Sequence, residues 1–145
     1  MLRAVIDVNL LVRSALSPTG ASAEILNALK RHTFTSPTCR PHLDELNRVL
    51  AYPRIIRRYH VTPRRRHRLL AQFYLRSIYF ELTGTLRLCR DPNDDYLIEL
   101  AILGQATHLV TEDKDLREDG ALIRLLASRG AHVCGAGEFV GLLTA

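Results

Sequence analysis

Residues 91–115 read DPNDDYLIELAILGQATHLVTEDKD, and this stretch decides the fold. It opens on acids at Asp91, Asp94 and Asp95, runs through Leu97, Ile98, Leu100, Ala101, Ile102 and Leu103, reaches a short strand pattern at His108–Val110, and closes on Glu112, Asp113 and Asp115. A helix that is apolar on nearly every side has to be buried, and so does the strand that follows it. The carboxylates at their ends are therefore carried close together. Oxygen donors gathered in this way suit hard cations such as Mg2+ or Mn2+, which take a few carboxylates and leave their other positions to water and phosphate.

Working back toward the N-terminus, Leu2–Ile6 is a short apolar run that ends at Asp7, the pattern of a strand buried on both faces. Residues 8–20 are partly helical up to the turn residues Ser17–Gly20, Ala21–Arg31 repeats apolar positions at helical spacing, and Thr33–Thr35 is predicted as a second strand. Strand, helix and strand within the first 35 residues make a βαβ unit, hence a parallel sheet. Ser36 or Thr38 is expected to cap the next helix, with Pro37 and Pro41 in or near its first turn. The apolar stripe of that helix is Leu43, Leu46, Val49 and Leu50. Helical phase sets Glu45 beside the stripe and turns Asp44 away from it, so Glu45 is the candidate for a carboxylate facing a cleft.

Pro53–Arg68 reads PRIIRRYHVTPRRRHR and holds seven arginines (Arg54, Arg57, Arg58, Arg64, Arg65, Arg66 and Arg68) without one acid. Guanidinium forks match phosphate geometry, and Tyr59, Tyr74 or Tyr79 could stack on unpaired bases. Thr62 and Pro63 read as the cap and first residue of a helix running to about Leu82, so this region is expected to form a helical arm. Leu86–Cys89 is predicted as a third strand feeding Asp91. After residue 115 come a helix over Leu122–Ser128, a stop at Gly130, a strand over Ala131–Cys134 and a last helix over Glu138–Leu142.

Composition fits one compact domain over residues 1–145, with 47% hydrophobic and 24% charged residues. No apolar run approaches a membrane span and the N-terminus lacks a signal-peptide pattern, so a cytoplasmic protein without a membrane partner is expected. Cys39, Cys89 and Cys134 form no CxxC pair and are expected to be reduced thiols. The net charge of +5 hides an asymmetry: residues 1–90 carry 16 basic against 5 acidic residues, the remainder 4 against 10. A basic surface beside an acidic cluster suits a protein that attracts a polyanion and acts on it through bound cations.

In an open parallel sheet, ligands bind at the carboxyl ends of the strands. Asp7 follows the first strand, Asp94 and Asp95 the third, and Asp113 the fourth, so all of them point to one end. Acids at a helix N-terminus are favoured by the helix dipole without any function, which covers one or two of the first group but not a second group at Glu112, Asp113 and Asp115. Carboxylates a few ångströms apart raise one another's pKa unless a cation holds them ionised, so the cluster predicts a bound divalent metal.

In order along the chain, VIDVNLLVRSALSP, ELNRVL, CRDPNDDYLIELA, HLVTEDKDL and GAGEFVGLL resemble the PIN-domain nucleases, of the type found as the toxin of toxin and antitoxin pairs. Together they cover nearly the whole chain. The resemblance implies an α/β fold of three layers, an α/β/α sandwich with a mainly parallel sheet. It also implies dependence on Mg2+ or Mn2+, endonuclease action on RNA with single-stranded regions as substrate, and an antitoxin or a second copy of the chain as protein partner. Carried over by position, it makes Asp7, Glu45, Asp95 and Asp113 the catalytic metal-binding acids, with Asn9 and Thr111 in support. The spacing from Asp95 to Thr111 resembles the family's, while helical phase sets Asp94 nearer the apolar face; Asp94 and Asp115 therefore stay as further metal candidates. Val8 stands where the family usually has Thr, and the helical stretch over residues 116–130 is longer than the family's link.

Two readings follow: a metal-dependent endoribonuclease, or a PIN-like module that holds RNA or protein without cutting. The complete acid set favours the first, because a retired site is expected to lose a member. A phosphatase with Asp7 as nucleophile would want a second Asp at position 9, where this chain has Asn9.

Overall fold

The computed structural model describes residues 1–145. In chain order the elements are β1 (Ala4–Ile6), α1 (Val8–Leu16), α2 (Ala21–Lys30), β2 (Ser36–Thr38), α3 (Arg40–Leu50), α4 (Pro53–Tyr59), α5 (Pro63–Leu75), β3 (Ser77–Tyr79), a 3-10 turn (Pro92–Asp94), α6 (Asp95–Leu103), β4 (His108–Val110), α7 (Lys114–Arg117), α8 (Gly120–Ser128), β5 (His132–Cys134) and α9 (Ala136–Thr144). Every strand pairing is parallel. Val5 lies opposite Leu109, Leu109 opposite Val133, and Pro37 opposite Ile78. A single bridge between Arg3 and Thr35 joins the two ladders, giving the order β3-β2-β1-β4-β5.

The side chains of β1 alternate between two cores, which is why the molecule has three layers. Ala4 and Ile6 enter a cluster built with α1, α2, α3, α5 and α9; Val5 enters another built with α6, α7 and α8. The α/β/α sandwich is thus the expected one, and it delivers the carboxyl ends of the strands to one rim. Close approach of α6 to β2 depends on Gly104, where an added Cβ would lie 2.7 Å from the Leu100 carbonyl oxygen and 2.9 Å from Pro37 Cβ. The three cysteines are free thiols, and no helix is long and apolar enough to cross a membrane.

Four local expectations are corrected. The second strand is Ser36–Thr38, not Thr33–Thr35, although Thr35 still accepts a 2.9 Å hydrogen bond from the Ala4 amide. Ser36 and Thr38 are consequently buried strand residues, and Cys39 takes the capping position of α3 without a side-chain cap, leaving only Pro41 in the first turn. The helix opened by Thr62 and Pro63, with Thr62 accepting from the Arg65 amide as predicted, stops at Leu75. Ser77 turns its hydroxyl back onto the Phe73 carbonyl at 2.6 Å, and the β-prone Ile78 and Tyr79 continue as β3. Leu86–Cys89 is then no strand: the amides of Leu88 and Cys89 are spent on the carboxylate of Asp95.

Candidate active site

The rim is assembled from strand ends. Asp7 is carried out of β1 with its amide still in the sheet, donating to the Val110 carbonyl at 3.0 Å. Thr111 leaves β4 alongside it, fully buried, and its hydroxyl donates to Asp7 Oδ2 at 2.6 Å. The same oxygen of Thr111 accepts the Asp113 amide at 3.0 Å, so one hydroxyl fixes both acids. Asp113 caps α7 by accepting the Asp115 amide. Asp7, Asn9 and Asp113, with Arg13 and Glu112, line a pocket of about 250 Å3.

Two further acids complete the rim. Glu45 projects from α3 and accepts the hydroxyl of Tyr96, one residue into α6 from Asp95. Asp94 ends the 3-10 turn, and its carboxyl is pushed up to about 7, first by burial and then by the charges of Asp113, Asp7, Asp91 and Glu45. Asp7 is raised as well, chiefly by burial, with the Thr111 hydroxyl and the amides that open α1 pulling the other way. Asp94 thus feels Asp7, Glu45 and Asp113 together, and Asp7 also feels Asp113 directly. None of the four makes an ion pair with a protein cation.

Asp95 is not in this company. Its side chain is buried against the preceding loop, where Oδ1 accepts from the Leu88 amide at 2.9 Å and the Cys89 amide at 2.7 Å. Burial alone would raise its pKa, but those donors outweigh it and hold the carboxyl below its usual range. Asp115 lies outside the pocket in an exposed, long contact of 3.6 Å with Arg90. Asn9 is exposed at the pocket mouth and its side chain has no hydrogen bond, which leaves it free for a ligand. As the side chains stand, no group of three or more His, Cys, Asp or Glu is in metal-ligating geometry.

The chain matches the PIN-domain family over residues 3–115. It belongs to that family. Proteins with this domain are generally nucleases, and PIN nucleases generally use divalent metals. The chain is also similar, at 26% identity over 115 residues covering 79% of its length and 73% of the relative's, to a protein of Methanocaldococcus jannaschii named only as uncharacterized. No solved structure matches it.

Two residues that hold this PIN site together, His42 and Tyr96, escape a sequence reading, and so does the structural role of Glu112, read there only as a member of an acid group. His42 is wholly buried between β1 and α3, with Nε2 at 2.7 Å from the Ile6 carbonyl and Nδ1 at 2.8 Å from the Thr38 hydroxyl. A carbonyl can only accept, so Nε2 carries the proton and Nδ1 accepts from Thr38; burial keeps the ring neutral by lowering its pKa to about 4. One turn of α3 separates this anchor from Glu45. Tyr96 restrains Glu45 from the far side of the sheet. Glu112 reaches 24 residues along the chain to accept the Ala136 amide at 2.8 Å, capping α9 from outside, and Arg117 bridges it to Glu138 at 3.2 and 3.1 Å. The one clue in the sequence is that α9 opens on Gly135, which has no side chain to cap with.

On the arginine arm, Arg65 donates to the Tyr59 carbonyl at 2.7 Å and so closes the C-terminus of α4, while Arg58 lies 5.4 Å over the Tyr59 ring. Arg54, Arg57, Arg64 and Arg68 are exposed, and no arginine of the arm forms a salt bridge.

Proposed function

We propose that the chain is a metal-dependent endoribonuclease whose metal-binding acids are Asp7, Glu45, Asp94 and Asp113. The observation that carries this reading is the electrostatic one: four carboxylates from four different elements act on one another across a rim where none of them forms an ion pair, although Arg13 lines the pocket of Asp7 and Asp113. A purely structural cluster would neutralise itself with lysine or arginine. An all-oxygen donor set of this kind fits Mg2+ or Mn2+ and not a metal that prefers sulfur or imidazole.

A divalent cation held there would lower the pKa of an attacking water and neutralise charge gathering on the phosphodiester. The protein's own part is orientation. Thr111 fixes one face of Asp7 and the backbone of Asp113, and Tyr96 fixes Glu45. Asn9 offers an amide to a phosphate oxygen at the mouth. Exposed arginines of the arm hold the backbone of single-stranded RNA, a contact that positions without reading sequence. Asp95 has the different task of holding the loop over residues 88–95, from which Asp94 projects. A silent binding module would not require this uncompensated acid set. The toxin role and its antitoxin partner rest on the resemblance alone.

The test is cleavage of a labelled single-stranded RNA by the purified chain. Activity should vanish in EDTA, return with Mn2+, and be absent from Asp7→Asn under all conditions while the fold is retained. Equal cleavage in EDTA would overturn the metal mechanism.

A further inference from the structure

A second and larger cleft, about 490 Å3, is lined by Glu45 and shares no residue with the pocket of Asp7 and Asp113. One wall is the face of α3 that carries Arg40, Asp44 and Arg48; the opposite wall is the chain leaving β3, from Tyr79 to Leu82, with the loop that follows it. We propose that this cleft seats one unpaired nucleotide flanking the phosphodiester at the acid rim, an inference that rests on the nuclease reading.

Position comes first. Glu45 and its partner Tyr96 line this cleft together with Asn93 and Asp95, the two neighbours of Asp94, so a polynucleotide whose phosphate lies at the rim has its next residue at the cleft mouth. The volume falls within the roughly 300–1,000 Å3 of small-ligand sites. Tyr79 supplies a flat wall: it is 39% exposed, and its ring is braced by Tyr74 in an edge contact at 6.3 Å and 66°. A braced, exposed aromatic face is the usual platform for an unpaired base, since every base has a π face.

Most charges of the cleft sort themselves in the same direction; the exception is Glu81, exposed and without an ion pair two residues beyond Tyr79. Asp95 and Glu99 are turned inward onto backbone amides, at Leu88 and Cys89 for the first and at Thr83 and Gly84 for the second. Asp44 is paired with Arg40 at 3.0 Å, and Arg87 is folded onto the carbonyls of Gly84 and Leu86. Arg48, three residues beyond Glu45 on α3, has neither a salt bridge nor a hydrogen bond. It is the cation left to take the phosphate that joins the seated nucleotide to the rim. The rival occupant is a peptide laid along the outer edge of β3, which would use backbone pairing and need neither the Tyr79 ring nor Arg48.

The experiment uses the full chain carrying Asp7→Asn, in EDTA, titrated into a fluorescein-labelled pentaribonucleotide and followed by anisotropy. Tyr79→Ala and Arg48→Ala should each weaken binding roughly tenfold, Tyr79→Phe should restore it, and Arg129→Ala should leave it unchanged. In the Asp7 protein with Mn2+, the same two alanine variants should raise KM about tenfold with kcat within about twofold. Wild-type affinity and KM in both alanine variants would overturn the proposal and leave the cleft to a peptide. Should Tyr79→Ala fail to fold, Arg48→Ala and Tyr79→Phe carry the test. If the Asp7 protein cuts no RNA but pentaribonucleotide binding still depends on Tyr79 and Arg48, the nuclease reading fails and the nucleotide seat stands; cleavage with an unmoved KM fails the seat alone.

Discussion

The acid rim and the arginine arm are both dense in charge, yet they are built on opposite plans. At the rim almost every carboxylate is oriented by a named donor, from the Thr111 hydroxyl on Asp7 to the Tyr96 hydroxyl on Glu45, and mutual repulsion is left uncancelled. On the arm Arg54, Arg57, Arg64 and Arg68 are held by nothing and lie in water, while Arg65 alone is tied to the backbone. Oriented, partly buried charge can act on one atom of a ligand, because it loses little entropy when the ligand arrives. Solvated charge can only act collectively and at a distance, through screening-sensitive attraction. The two regions should therefore fail differently when altered.

The largest difference is expected at the rim, between two neighbours in sequence. Asp94→Asn should lower cleavage by on the order of 100-fold or more, since even outer partners of a metal site cost about 10 to 100-fold. In EDTA at pH 8 the same variant should be more stable than the wild type. Its carboxyl has a raised pKa, so the folded state disfavours the charge that Asn removes. Asp95→Ala should do the reverse, costing about 2 kcal/mol through two backbone amides left without their acceptor, and lowering activity less than tenfold. Urea melts and initial rates on the two variants decide the matter; an Asp95→Ala protein that is stable and dead would exchange the roles assigned to the pair.

That pair also shows what a sequence can and cannot say. The strand-end rule put Asp7 and Asp113 on one rim from chain order alone, because parallel strands allow nothing else. Spacing favours Asp95 and helical phase favours Asp94, and neither registers the 3-10 turn over Pro92–Asp94 that sets the two apart before α6 begins. Third-strand placement failed for a related reason: Leu86–Cys89 has a strand-like composition, but its amides answer to Asp95, a tertiary acceptor invisible to local pattern. His42 was illegible because a lone histidine on a helix carries no signal of the carbonyl it meets 36 residues away.

His42 sharpens the comparison by asking how rigid the rim's footing is. Its ring is neutral in the folded protein, with a pKa of about 4, and returns to about 6.5 when unfolded. The unfolded state then binds the extra proton, so this contribution is complete above pH 6.5 and is lost as pH falls toward 4, by roughly 3 kcal/mol in all. The raised carboxylates push the other way, Asp94 from about 7 downward and Asp7 in the same sense, which is why the quantity to measure is a difference. Urea midpoints of the wild type minus those of His42→Gln, taken from pH 7 to pH 4, should fall steadily; a flat difference would mean that His42 is protonated in place and that its contacts to Ile6 and Thr38 are read incorrectly.

The smallest effects are expected on the arm, and they separate its members. Each exposed arginine that touches a phosphate should, on removal, reduce the slope of log affinity against log salt by about 0.7, the value for a single strand. Arg64→Ala and Arg68→Ala should therefore flatten the salt dependence of RNA binding stepwise without moving the melting temperature. Arg65→Ala should instead cost about 1 kcal/mol of stability, because the Tyr59 carbonyl at the end of α4 loses its donor, and the junction at His60 is already in the left-handed region at φ 54°. If Arg65→Ala changed only the salt slope, the arm would be uniform and its hydrogen bond to Tyr59 idle in solution. If Arg64→Ala and Arg68→Ala left the slope untouched, the arm would hold no RNA, and the attraction of substrate would fall to Arg48 and the cleft beside the rim.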